Sequence, residues 1–209
     1  MLVNVEQVPL FLAPMAGVTD LAYRLLAKEC GADVTVTEFT AASGLTRRNT
    51  YSWLKVESDP RENPFIPQIF GGDIGEMAKT VEMLHDRADV IDINFGCPAP
   101  KVCRNDAGAA LLRDPDRVVS MVRACIDVSD VPITVKMRLG TGSGENTALE
   151  ISQRLEKEGV ERICVHGRTL RQRYSGIADW EEIRQISESV KQSLSIFPIV
   201  HALRRFRFR

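Results

Sequence analysis

A repeated alternation constrains this chain more than any other feature: a short apolar run of strand character, a polar or glycine-bearing loop, then apolar residues at helical spacing. Val8 to Ala13 is followed by Pro14-Met15-Ala16-Gly17-Val18-Thr19-Asp20 and a helical pattern that turns Leu21, Leu25 and Leu26 inward. Val34 to Glu38 is a second strand, rich in β-branched residues. Phe65 to Phe70 is a third, closed by Gly71-Gly72-Asp73 and followed by a helix from Ile74 to His85. Ile91-Asp92-Ile93-Asn94 is a fourth, with a helix over Asp116 to Val128 behind it. Pro132 to Met137 and Arg162 to His166 make the fifth and sixth, each trailed by a helix (Asn146 to Glu158, then Trp180 to about Val190). Ser195 to Val200 reads as a seventh strand.

This order excludes an all-helical bundle or a sandwich and leaves two α/β architectures, the doubly wound sheet and the (β/α)8 TIM barrel. A doubly wound nucleotide-binding sheet would carry Gly-x-Gly-x-x-Gly after its first strand, and that loop here reads Pro-Met-Ala-Gly-Val-Thr. The barrel is therefore expected. It is expected to be incomplete, because eight units typically need ~250 residues and the 209 present supply about six to seven.

Composition narrows the setting. With 44% hydrophobic and 26% charged residues the chain has material for one sizeable core. Its 27 basic and 28 acidic residues give no global nucleic-acid signal, although Arg204 to Arg209 is basic and aromatic. Five cysteines without close pairs, and no signal peptide, predict a reducing, cytoplasmic location. No run approaches the ~20 apolar residues of a membrane span, and no cysteine or histidine spacing resembles a metal site. Neither a membrane nor a metal is expected, and the chain is expected to be monomeric.

In a barrel the chemistry belongs at the carboxyl ends of the strands, where this chain places Pro14, Met15, Glu38, Gln68, Asn94, Cys97, Lys136, Arg138, His166 and Arg168. Lys136 lies in a strand destined for burial, so its ammonium must either pair at the rim or meet a bound group; Arg138, two residues on, shares its face. His166 is either a satisfied core histidine or, with Gly167 and Arg168 behind it, a contact to a cofactor or phosphate. Gln68 offers a donor and an acceptor to a heterocycle edge. Cys97 follows the fourth strand in Phe95-Gly96-Cys97-Pro98, where it is a nucleophile, a general acid or a buried thiol. Cys103 reads as a packing thiol, and Tyr51 and Trp53 as part of a solvated basic loop.

Taken in order, Ala13-Pro14-Met15-Ala16-Gly17-Val18-Thr19-Asp20, Gln68-Ile69-Phe70-Gly71, Asp92 to Pro98, Gly108-Ala109-Ala110-Leu111-Leu112, Val135 to Gly140, Val165-His166-Gly167-Arg168-Thr169, Tyr174-Ser175-Gly176 and Asp179-Trp180 resemble the flavin-dependent tRNA-dihydrouridine synthases. The resemblance implies a barrel with FMN at its mouth, NADPH or NADH as reductant, tRNA as partner, and a following helical domain that grips it. It implies hydride transfer to C6 of a flipped uracil and protonation at C5. On the matching positions, Cys97 is the catalytic acid. Pro14, Met15, Ala16, Gln68, Lys136 and His166 contact the cofactor, and Asn94, Arg138 and Arg168 contact the substrate. A thiol largely protonated at neutral pH can fill the acid's role without a basic partner.

The pattern breaks after about Ser195, and no glycine follows Gly176 where the resemblance predicts two glycine loops around the FMN phosphate. A shortened or frameshifted coding sequence would produce such a break. The division expected is a partial FMN barrel over 1–195 and a divergent basic tail over 196–209, without the helical tRNA-binding domain. Weak FMN binding and poor tRNA binding are expected with it. Another FMN barrel of the dihydroorotate dehydrogenase kind, or a non-catalytic barrel remnant, is the alternative.

Overall fold

Among the described residues every strand runs parallel to its neighbours, and each ladder keeps its strands in sequence order. The computed structural model describes residues 9–144 and 146–190 and the backbone of 194–196. The strands are β1 (Phe11–Leu12), β2 (Val34–Val36), β3 (Thr40–Ala41), β4 (Phe65–Ile66), β5 (Gln68–Phe70), β6 (Ile91–Phe95), β7 (Ile133–Arg138), β8 (Arg162–His166) and β9 (Leu194–Ile196). They pair as β1-β2-β4 and β3-β5-β6-β7-β8-β9. The two ladders belong to one wall, since β2 leads into β3 and β4 into β5. The break has a local cause: Pro67 has no N–H to give the ladder, and the next N–H, on Gln68, goes to Thr37 Oγ1 at 3.0 Å. Seven strand positions thus stand side by side in a curved parallel wall, an incomplete (β/α)8 barrel.

Of the expected seventh strand, Ser195 and Ile196 lie in β9, which begins one residue earlier, at Leu194. β9 pairs with β8 in register Cys164↔Ser195, and residues 197–209 lie outside the described ones, as does Val8 of the expected first strand. The expected division after residue 195 falls on β9.

Outside the wall lie α1 (Leu21–Glu29), α2 (Ala42–Thr46), α3 (Thr50–Lys55), α4 (Ile74–Leu84), α5 (Pro100–Cys103), α6 (Pro115–Asp127), α7 (Ala148–Glu158) and α8 (Trp180–Ser189). Asp20, Asn49, Asp73, Asp114 and Asp179 each accept a backbone N–H at the start of α1, α3, α4, α6 and α8, a cap worth about 1 kcal/mol each. The segment read as a solvated basic loop is a correction: α2 and α3 are helical, and Trp53 Nε1 donates to the Leu45 carbonyl at 3.3 Å. None of the helices among the described residues is long and apolar enough to cross a membrane.

Period-two alternation divides the wall into two faces. Ile91, Ile93 and Phe95 of β6, Ile133, Val135 and Met137 of β7, and Ile163 and Val165 of β8 face the helices, where they join Met77, Val81, Val118, Val122, Ile151 and Leu155 in one apolar core. The other parity faces the barrel interior and is polar. Behind the first strand, Arg24 of α1 and Glu62 form a wholly buried ion pair. Arg24 also donates to the carbonyls of Thr19 and Glu57, and Thr35 Oγ1 to Glu62. With every partner satisfied, this cluster fixes α1 against the segment that leads into β4.

Candidate functional site

The pairing register sorts the interior side chains into three rows. Gln68, Asp92, Thr134 and Arg162 are register partners across β5 to β8. Asn94, Lys136 and Cys164 form the next row, and Arg138 with His166 the last, nearest the carboxyl ends.

Gln68, Asp92 and Thr134 of the first row are joined with Asn94 of the second in one hydrogen-bond network. Asp92 accepts from Gln68 Nε2 at 2.6 Å and from Thr134 Oγ1, while Asn94 Nδ2 donates to Gln68 Oε1 at 2.8 Å. Burial pushes the Asp92 carboxyl above its usual range, against the opposing pull of those two donors. Gln68 therefore has one amide N–H and one lone pair left for anything else. Between this row and β1 a cavity of about 20 Å³, room for one water, is lined by Pro14, Asp92, Lys136, Arg162 and Cys164.

The strand-to-loop turn after β6 is held by Asn94, whose Oδ1 accepts the backbone N–H groups of Gly96 at 3.0 Å and Cys97 at 2.9 Å. That turn swings Cys97 inward rather than presenting it at an exposed tip. Cys97 is 6% exposed and packs with Val102 and Ala107, with Phe39, Phe70 and Ala99 around them. Burial raises its thiol above the ordinary value, outweighing the Ala99 N–H and the charge of Arg138. The thiol is protonated throughout the neutral range.

Arg138 reaches across the same turn. Its Nε donates to the Gly96 carbonyl at 2.8 Å, and its Nη1 to the carbonyls of Thr169 at 3.1 Å and Arg173 at 2.8 Å. Its guanidinium also lies 5.6 Å from the ring centroid of the exposed Tyr174. Arg168 donates to the Gly176 carbonyl at 3.0 Å and stands 3.4 Å from His166 Nε2, while its buried Nε meets no acceptor among the described residues. Burial, then the charges of Arg138, Lys136 and Arg168, push the His166 imidazole down to about 3. It is neutral at physiological pH, a hydrogen-bonding group and not a cation. Among the described residues, no carboxylate forms an ion pair with Lys136, Arg138 or Arg168. Three cations, a neutral imidazole and an orphaned N–H suit an electron-rich or anionic guest.

The loop after β1 completes the rim. Glu38 Oε2 accepts the Gly17 N–H at 2.5 Å and meets Lys55 Nζ at 3.4 Å. Met15 and Ala16 are exposed beside the half-buried Pro14. Sequence reasoning placed Pro14, Met15, Glu38, Gln68, Asn94, Cys97, Lys136, Arg138, His166 and Arg168 at strand ends; in the fold Gln68 lies buried in the first row, Asn94 and Lys136 in the second, Arg138 and His166 in the last, and Pro14, Met15, Cys97 and Arg168 on the loops that follow their strands. That reasoning missed the Asp92–Thr134 contact beneath the rim, which the even spacing of Asp92 and Asn94 on one strand could have indicated, and the bracing of Gly17 by Glu38, for which no local signal exists.

Comparison with known proteins adds an independent finding. The family model for dihydrouridine synthase (Dus) matches residues 11–199. The chain is 40% identical over 184 residues to a probable tRNA-dihydrouridine synthase of Rhizobium leguminosarum bv. phaseoli, covering 88% of this chain and 58% of that one. It is 37% identical over 189 residues to tRNA-dihydrouridine synthase B of Pseudomonas aeruginosa, covering 90% and 56%. Against a rice protein named tRNA-dihydrouridine(47) synthase [NAD(P)(+)]-like it is 36% identical over 189 residues, covering 90% and 28%. The chain thus spans little more than half the length of the bacterial relatives.

Proposed function

This chain belongs to the dihydrouridine synthase family, and from that premise we propose that its rim reduces the C5–C6 double bond of a uracil in tRNA, with Cys97 as the proton donor. The observation that carries the reading is the buried, protonated Cys97 thiol on the loop that Arg138 bonds, with Lys136, Arg138 and His166 on the neighbouring strands and Arg168 just beyond them. Two carboxyl-terminal loops are bonded together there by Arg138.

The residues present fit FMN: unneutralised cations and the orphaned Arg168 Nε suit a ring system that gains negative charge. When bound, FMN would supply hydride chemistry at C6, with NADPH or NADH as the reductant. The chain's own groups divide the remaining work. Pro14, Met15 and Ala16 form the apolar edge of the rim. Gln68, with one N–H and one lone pair free, bonds a ring edge. Lys136 and neutral His166 bond polar atoms of the same ring, and the ammonium favours negative charge there. Asn94, Arg138 and Arg168 hold the uracil, and Cys97 delivers its proton to C5. A uracil inside a stacked strand could not reach a thiol buried this deeply, so the base must leave the stack.

The test is to purify the full chain, reconstitute it with FMN, supply NADPH and unmodified tRNA transcript, and count dihydrouridine by mass spectrometry. The expected result is a flavin-coloured protein that forms dihydrouridine and loses about 10²–10⁴-fold in rate as Cys97→Ala. A colourless protein that takes up no FMN, or activity unchanged in Cys97→Ala, overturns the reading.

A further inference from the structure

Two of the five free cysteines share one loop. Cys103 closes α5, a single turn begun at Pro100, and its Sγ turns back to donate to the Cys97 carbonyl at 3.6 Å. The fold enforces the return. Val102 N–H and Cys103 N–H both bond the Ala99 carbonyl, at 2.9 and 3.0 Å, and Ala109 N–H bonds the Cys97 carbonyl at 3.1 Å. Gly108 completes the close approach, because a Cβ there would lie 3.2 Å from Cys97 Cβ and 2.9 Å from its carbonyl oxygen. A carbonyl oxygen lies about 2.4 Å from its own Cα, so Cys103 Sγ is within about 6 Å of Cys97 Cα. A disulfide, with an S–S bond of about 2.05 Å and a Cα separation of about 4.4–6.8 Å, requires that sulfur to close further on Cys97. A one-turn helix yields the remaining adjustment at low cost, having little cooperative structure to lose.

We propose that Cys97 and Cys103 form a reversible disulfide when the chain meets a hydroperoxide, which makes Cys103 a redox modification site. Cys103, half-buried where Cys97 is nearly enclosed, reacts first. Its thiolate attacks the terminal peroxide oxygen, the O–O bond breaks, and water leaves with the proton the thiol gave up, so that Cys103 becomes a sulfenic acid. Cys97 Sγ then attacks the Cys103 sulfur; the S–O bond breaks, and the departing hydroxide takes the Cys97 proton as a second water. Two thiols have lost two electrons and two protons, and hydrogen peroxide has become two waters. A dithiol reverses the step. The bond removes the Cys97 S–H, so on the function proposed above the oxidised chain has no proton to deliver.

The test treats the full chain with hydrogen peroxide, alkylates the remaining thiols and digests with trypsin without reduction. Cleavage after Lys101 separates the two cysteines, so peptides 88–101 and 102–104 stay together only through a disulfide. The expected result is that linked pair, its loss on adding a dithiol, and its absence in Cys103→Ser. Separate peptides after treatment, whether alkylated or carrying sulfinic acid, overturn the proposal, as does Cys97 linked to any cysteine but Cys103. An assay of the same samples keeps the two readings distinct. A linked pair in a chain that never forms dihydrouridine sinks the function and leaves the disulfide standing; an active chain with no linked pair does the reverse.

Discussion

At the scale of single residues, the site works by burying groups whose charge would otherwise vary. The Cys97 thiol is raised by burial, so dihydrouridine formation is expected to hold level through neutral pH and to fall only above the ordinary thiol range, once the proton is gone. A pH–rate profile checks this, and an alkaline limb below that range would contradict the acid role. His166 behaves oppositely in sign. Its folded value, about 3, lies below the ordinary 6.5, so between those values the unfolded chain binds a proton that the folded one refuses. Stability is then expected to drop as pH falls from about 6.5 toward about 3. Denaturant titrations across that window should show a shallower slope in His166→Gln. For Cys97 the protonated state was already expected from the ordinary thiol range and burial reinforces it, whereas the state of His166 was not legible in sequence, because only the surrounding side chains set it.

At the scale of elements, the strand-to-loop turn after β6 carries the most constraint in the fewest residues. Gly108 holds φ +60 where an added Cβ would come within 2.9 Å of both the Cys97 carbonyl oxygen and Val102 Cγ1. Gly108→Ala is therefore expected to cost about 2–4 kcal/mol, from the left-handed backbone and the displaced loop together. A denaturation midpoint equal to the parent's would show that the loop gives way freely. Most elements were legible because their periodicity is strong: β6, β7, β8 and α4 lie within a residue or two of their expected bounds. The α2–α3 segment was not, because its helices are five and six residues long, too short to show a hydrophobic period. They hold through contacts such as Trp53 on Leu45.

At the scale of the whole molecule, loops that are far apart in sequence become one surface because a single side chain binds them. Arg138 joins Gly96 to Thr169 and Arg173. Arg138→Ala is expected to lower stability by about 1–3 kcal/mol, as the bonded carbonyls lose a charged donor, and to raise amide hydrogen exchange at residues 96–98 and 169–174 together. Exchange that changes at one of the two loops alone would show that Arg138 does not couple them. The parallel wall supplies the frame for this coupling: β6, β7 and β8 are in continuous register, so their last residues end side by side.

By itself the sequence determined the order of strands and helices, the parallel barrel wall that such alternation requires, and the strand-end positions of the chemically able residues, since period-two and period-3.6 patterns are local properties. What only the tertiary structure decided was the state of those residues. Cys97 is enclosed, and its thiol pushed further above the ordinary range, because Val102, Ala107, Phe39 and Phe70 pack around it. His166 is neutral because it is buried and because Arg138 and Lys136 of β7 and Arg168 of the following loop add their charges around it. Cys103, unremarkable as a spacing, faces Cys97 because α5 folds back onto its own origin. Burial and charge depend on neighbours remote in the chain, and no local pattern encodes them.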